Sequence, residues 1–150
     1  MEFQKIDKRI LNRIQEDLPF IARPWEAVAQ ELGITEESLL KRIAFLKKKG
    51  IIRRISAVFS PRKIGLVSTL VAVKAPLNEV SGLVRKINSY PEVTHNYKRN
   101  AEYNIWFTIV AKDTKRIAQI INQVKKNKAV KKISDFPAIK LFKIDVNFRI

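Results

Sequence analysis

The one histidine of this 150-residue chain, His95, lies in the stretch VTHNYKRNAEYNIWFT (residues 93–108) beside Tyr97, Arg99, Tyr103 and Trp106. An imidazole titrates near neutrality, so it can deliver a proton or bind a metal ion. An arginine fork grips carboxylates through two parallel hydrogen bonds. Tyrosine and tryptophan offer flat walls with a polar handle. If VTHNYKR is a strand, alternation sends Val93, His95, Tyr97 and Arg99 to one face and Thr94, Asn96 and Lys98 to the other. In YNIWFTIV, the residues Tyr103, Ile105, Phe107 and Ile109 form the greasier face, expected against helices. Asn104, Trp106 and Thr108 then lie opposite. Whether His95 shares a face with Trp106 depends on the hairpin register, which alternation leaves open. The chain has no P-loop, no Cys/His metal spacing and no nucleophile elbow.

The elements that must carry these residues follow from periodicity. Residues 3–17 repeat Phe3, Ile6, Ile10, Leu11 and Ile14 at helical spacing. Pro24 suits the start of a second helix, PWEAVAQELG, which Gly33 stops. Thr35 caps a third helix, TEESLLKRIAFLKKKG, with Leu39, Leu40, Ile43 and Leu46 as its apolar face. Three short helices with a glycine turn between the last two predict a helix-turn-helix. From Ile51 the period becomes two. IIRRISAVF is expected as a wing strand and LVSTLVAVKAP as the next strand. A helix over 77–89, strands VTHNYKR and EYNIWFTIVA, a helix over 113–127 and a strand region VKKISDFPAIKLFKIDVNF complete the pattern. The expected fold is α+β: an N-terminal winged helix-turn-helix over residues 1–62, then a ferredoxin-like βαββαβ sandwich over 63–150 for ligand binding and dimerisation.

Charge separates these parts. The net charge is +16, which points to a polyanionic partner: nucleic acid, an anionic surface or a ligand with many carboxylates or phosphates. Residues 1–50 hold ten Lys/Arg against eight Asp/Glu, whereas residues 63–150 hold seventeen against six. The excess therefore lies outside the segment that looks like a DNA reader. The expected third helix also opens on Glu36 and Glu37, the wrong sign beside phosphate, although acidic residues suit a helix N-terminus. Arg42 and the Lys47–Lys49 run are the cations there that could meet a DNA backbone. Any DNA binding is expected to be weak. The chain has no cysteine, no run near the roughly 20 apolar residues that span a bilayer, and no signal-peptide pattern in MEFQKIDKRI. A cytoplasmic protein without a membrane partner is expected.

The two-part plan resembles the Lrp/AsnC family over nearly the whole chain. More narrowly, IIRRISAVFSPRKIGLVSTLVA, YPEVTHNYKRNAEYNIWFT and PAIKLFKIDVNF resemble the sirohaem decarboxylase subunits, a branch of that family. The regulators tend to carry a Gly-x-x-Asp turn before the second hairpin strand, where this chain has Ala101 and Asn104. The resemblance implies removal of carbon dioxide from two acetate side chains of sirohaem, in alternative haem or nitrite-reductase haem synthesis. It also implies a paralogous partner subunit, in a heterodimer or larger assembly.

Sirohaem is a flat iron tetrapyrrole rich in carboxylates, so the resemblance suggests roles for the residues already singled out. His95 and Tyr97 become candidates to supply the proton that replaces carbon dioxide. His95 is alternatively a ligand of the substrate's iron. Arg53, Arg54, Lys98, Arg99, Tyr103 and Trp106 become candidate substrate-binding residues, with Arg99 foremost. No cofactor beyond the substrate is expected, because the macrocycle can take up the electrons. The other readings are an Lrp/AsnC-type transcription regulator that binds DNA and a small ligand, and a ligand-binding paralogue without activity that supports a catalytic partner subunit.

Overall fold

The computed structural model describes residues 2–140, 142–143, 147–148 and 150. Contacts group the chain into two units, Met1–Ala57 with Lys143–Ile150, and Val58–Phe142.

The first unit is three helices, α1 (Lys5–Glu16), α2 (Pro24–Leu32) and α3 (Glu36–Lys48). Asp7 in the first turn of α1 accepts from the Gln4 amide at 2.7 Å and closes a capping box. Pro24 begins α2, and Gly33 ends it at φ 69°, a left-handed conformation that glycine adopts without Cβ strain. The Thr35 hydroxyl accepts from the Ser38 amide at 3.2 Å and starts α3. Ile10, Val28, Leu39 and Leu46 meet at the centre of this bundle. Leu40, expected on the core face, is instead 42% exposed. It sits a hundred degrees round the helix from buried Leu39, outside the apolar stripe. Asn12 and Gln15 of α1 hold the backbone of Phe148 and Ile150 through their side-chain amides.

Residues 51–59, expected as a wing strand, form no strand here, and Ile55, Val58 and Phe59 are exposed. A sequence with β character still needs a neighbour to bond with, and the described residues offer it none. A short 3₁₀ turn, Pro61–Ile64, leads into the second unit.

That unit comprises β1 (Val67–Lys74), α4 (Val80–Asn88), β2 (Val93–Lys98), β3 (Ile105–Ala111), α5 (Thr114–Lys125) and β4 (Lys132–Pro137). The strands form one antiparallel sheet in the order β2-β3-β1-β4, the ferredoxin-like arrangement that the sequence predicts. One face of the sheet takes both helices. Val71, Val73, Ile105, Phe107 and Ile109 from the strands pack with Leu83, Ile87, Ile117 and Ile120. The other face carries no helix of this unit. The last strand stops at Pro137, which has no N–H to continue the ladder. Its expected continuation through Leu141 and Ile144–Val146 lies outside the described residues. No helix among the described residues is long and apolar enough to cross a membrane.

Candidate functional site

The register of β2 on β3 decides where His95 points. Val93 pairs with Ile109, but His95 pairs with Thr108, so β2 advances two residues while β3 advances one. Thr94 is the extra residue of a β-bulge. Alternation is therefore broken, and Val93 does not share a face with His95 and Tyr97 as strict alternation predicts. Val93 packs on the helix-covered core, while the bulge turns His95 and Tyr97 to the open face. Asn96 and Lys98, opposite Phe107 and Ile105, point to the helix side, and Asn96 bonds Asn88 at the end of α4.

Tyr97 pairs with Trp106 and Trp106 with Ala72, so His95, Tyr97 and Trp106 lie on the same side of the sheet. The rings of His95 and Tyr97 lie 6.3 Å apart and nearly parallel. Trp106 stacks at 5.8 Å on Phe136, reaching across β1 over Ala72, which is wholly buried on this otherwise open face. The Arg99 guanidinium sits 6.0 Å from the centre of the Trp106 ring, a cation–π placement. Leu70, Tyr97 and Phe136 are all 40% or more exposed, so this is a broad aromatic and aliphatic surface left to solvent in one chain. Thr94 Oγ1 lies 3.0 Å from Nδ1 of His95, leaving Nε2 as the nitrogen available to a ligand.

The turn between β2 and β3 is anchored from within. Asn104 is buried, donates to the Ala75 carbonyl at 2.7 Å and accepts from the Ala75 amide at 3.0 Å. Asn104 therefore ties the turn to the end of β1 and does not lie beside Trp106 on the open face. Trp106 Nε1 donates to the Tyr103 carbonyl at 2.7 Å, and the Tyr103 hydroxyl accepts from Ser134 at 3.1 Å. Tyr103 thus belongs to the turn, ahead of β3, and reaches β4 rather than the greasy face of its own hairpin.

Arg53 and Arg54 are exposed on the stretch that follows Ile52, in the other unit. In that unit most ionic side chains of the third helix are already engaged. Arg42 is buried against Asp7, which its guanidinium grips at both carboxylate oxygens, and Arg42 also donates to the Glu2 carbonyl at 2.8 Å. The Arg42 contact, with a smaller contribution from the Gln4 amide, holds the Asp7 carboxyl below its ordinary range despite burial. Arg42 is therefore not available to a DNA backbone. Glu36 meets Arg23 at 3.4 Å and Glu37 meets Lys41 at 2.6 Å. Among the described residues no group of three or more His, Cys, Asp and Glu is placed to hold a metal ion.

Two family models match the chain: an AsnC-like ligand-binding domain over residues 63–143 and a siroheme decarboxylase NirDL-like HTH domain over residues 7–53. The chain is 39% identical over 148 residues to the siroheme decarboxylase alpha subunit of Desulfovibrio desulfuricans, covering 99% of this chain and 85% of that one. The chain belongs to the sirohaem decarboxylase family. Among solved structures, the siroheme decarboxylase NirDL in co-complex with an iron-uroporphyrin III analogue superposes with a TM-score of 0.67 at 31% identity, over 89% of this chain and 44% of that one. Escherichia coli AsnC superposes at 0.82 with 16% identity over 97% of each chain, a likeness of fold.

Sequence reasoning missed Leu70, Lys74, Lys132 and Phe136 on the open face of this sirohaem decarboxylase family member. Leu70, Ala72 and Lys74 share that face on β1, as do Lys132, Ser134 and Phe136 on β4, by the same alternation that was applied to β2 and β3. The signal was present in the strand pattern, but alternation gives two faces for each strand and does not say which of them the helices leave bare.

Proposed function

We propose that this chain is a subunit of a sirohaem decarboxylase and that the open sheet face receives the macrocycle. The observation that carries the reading is the shared face of His95, Tyr97 and Trp106, with Arg99 over the indole. A protein core would not leave such a set exposed, whereas a flat ligand bearing carboxylates uses each member. Trp106, Phe136 and Leu70 offer a floor for a planar ring. Arg99 is placed to pair with a carboxylate beside it. Lys98 points to the helix side of the sheet edge, so its part is charge attraction at the rim rather than contact with the ring. Arg53 and Arg54, exposed on the first unit, are proposed as carboxylate-binding residues in their own right, and Tyr103 as the residue that fixes Trp106.

The reaction breaks one carbon–carbon bond at each acetate. Carbon dioxide leaves, the electron pair stays on the methylene carbon and spreads into the ring system, and a proton converts that carbon to methyl. The macrocycle supplies the electron sink, so no further cofactor enters this scheme. The protein's task is to orient each acetate, exclude water and hold a proton donor next to the methylene carbon. His95 through Nε2, or Tyr97 stacked on it, is proposed as that donor. The alternative role of His95, as a ligand of the substrate's iron, uses the same nitrogen.

Relatives of this chain carry the word subunit in their names. We take the active assembly to include a paralogous subunit that covers the exposed face and the strand edges. The test is an anaerobic titration with sirohaem followed by absorbance, with and without such a paralogue. A shifted Soret band, followed by loss of two carboxyl groups by mass spectrometry, is the expected result. Sequence-selective DNA retention at physiological salt, with an unchanged sirohaem spectrum, would instead establish a regulator.

A further inference from the structure

Lys74 ends β1 and Lys132 begins β4, and the register sets them directly opposite each other. Like charges in that position repel and cost stability unless something lies between them. Both stand on the open face, two residues and about 7 Å along the strands from Ala72 and Ser134. They therefore adjoin the aromatic floor at its basic end. What lies between them is Glu102, whose Oε1 is 3.1 Å from Lys74 Nζ and 3.2 Å from Lys132 Nζ.

The position of Glu102 is fixed by the turn that carries it. The Asn104 bonds to Ala75 and the Arg99 amide bond to the Asn104 carbonyl at 2.9 Å close that turn against the end of β1. Hydrogen bonds from Lys74 and then Lys132 hold the Glu102 carboxyl below its ordinary range, so it is ionised at neutral pH. Lys74, Lys98 and Arg99 line the same hollow of about 660 Å³ as Glu102. With Lys132, four cations lie at this end of the sheet, and two of them, Lys74 and Lys132, contact its carboxylate.

We propose that Lys74 and Lys132 form a carboxylate receptor at the rim of the open face, that Glu102 is its built-in occupant, and that a carboxylate of a polycarboxylate ligand displaces Glu102 on binding. The proposal rests on the tetrapyrrole reading of the face for its natural ligand. The three side chains are 42–59% exposed, so the exchange needs a rotamer change and no opening of the core. An internal competitor weakens any ligand that has only this contact. A ligand anchored at several points replaces Glu102 at high effective concentration. The receptor thus favours ligands with many carboxylates over those with one. The bland role for Glu102 is to neutralise the Lys74–Lys132 repulsion and nothing more.

Glu102→Gln separates the two, because it keeps the shape and removes the competing charge. Citrate, titrated by calorimetry into the full chain, probes the receptor alone. Exposed ion pairs are individually weak, so freeing both lysines should tighten citrate by about 3- to 10-fold. Adding Lys74→Met and Lys132→Met to the Glu102→Gln chain should abolish that gain, while circular dichroism confirms the fold. The proposal is overturned if Glu102→Gln binds citrate no tighter than the parent, undetectable binding in both included, or if the gain survives loss of the lysines. Uroporphyrin, followed by absorbance, judges the tetrapyrrole reading separately. If it binds neither chain, that reading fails, and the citrate titration still decides the receptor.

Discussion

Arg42 in the helical unit and Arg99 in the sheet unit make opposite use of the same side chain. Arg42 turns inward, is nearly buried, and has both a carboxylate and a backbone carbonyl as partners. Arg99 lies over an indole on a face that neither helix of its own unit covers. The neighbours follow the same division. In the helical unit Glu36, Glu37 and Lys41 pair within the unit, so the ionic groups at the start of the third helix satisfy one another. In the sheet unit the cations at one end outnumber the carboxylate among them. A helix-turn-helix by shape has thus turned most of this charge to its own cohesion, while the sheet leaves cations in excess at one end. Fold alone would point to the helical unit as the binding half, whereas the distribution of unpaired charge points to the sheet.

The sharpest test of that contrast is His95→Ala. Loss of a general acid commonly costs ~10²–10⁴ in rate, so turnover of sirohaem should fall by that factor with a smaller change in binding. An altered spectrum of the bound chromophore would point to iron ligation instead. Unchanged conversion would remove His95 from the site altogether.

Asp7→Ala tests the other half. Breaking a buried ion pair leaves Arg42 without its partner, which typically costs about 3–5 kcal/mol. Urea unfolding of the helical unit should shift accordingly. A Asp7→Leu/Arg42→Met chain, which removes both charges, should recover much of the loss. The pair also predicts an acid limit. The Asp7 carboxyl lies lower in the folded state than its ordinary value of 3.8, so between those two values the unfolded chain binds more protons. Stability from this group is present above pH ~4 and falls as pH drops towards the folded value. A flat acid limb in the Asp7-containing protein, identical to that of the double variant, would refute the assignment.

Arg99→Ala should weaken sirohaem binding roughly 10- to 150-fold, the loss of a charge-assisted contact worth about 1.5–3 kcal/mol. Turnover at saturation should change less. If Arg99 and Arg42 substitutions both act only on stability, the contrast between the units collapses.

The smallest expected effect is on DNA. Binding carried by dispersed lysines should be non-specific and should vanish between ~50 and 200 mM salt. A single footprint that persists at physiological salt would return the helical unit to a reading role.

Much of this was legible in the sequence, for reasons that differ by element. The five helices announced themselves through apolar spacing and through Thr35, Pro24 and Gly33. The sheet order followed from the βαββαβ pattern. What escaped were features that need a second strand to define them. The bulge at Thr94 leaves no mark in VTHNYKR, because an extra residue shows only against the count of β3. The expected strand over 51–59 had the right residue types but lacks a neighbour among the described residues. Asn104 looked like an alternating strand residue and proved to be the bolt of a turn. Arg42 looked exposed because its partner, Asp7, is 35 positions away.

The bulge gives β2 something like a reading frame. Upstream of Thr94 the strand is in phase with the core; downstream it is in phase with the open face. Deleting Thr94 would only take up the extra residue, leaving His95 opposite Thr108 and Tyr97 opposite Trp106. Flattening the bulge at constant length would instead set Thr94 opposite Thr108, turning His95 and Tyr97 over the helices and Asn96 and Lys98 to the exposed side. Which face His95 presents is thus fixed by a one-residue slip and not by residue type.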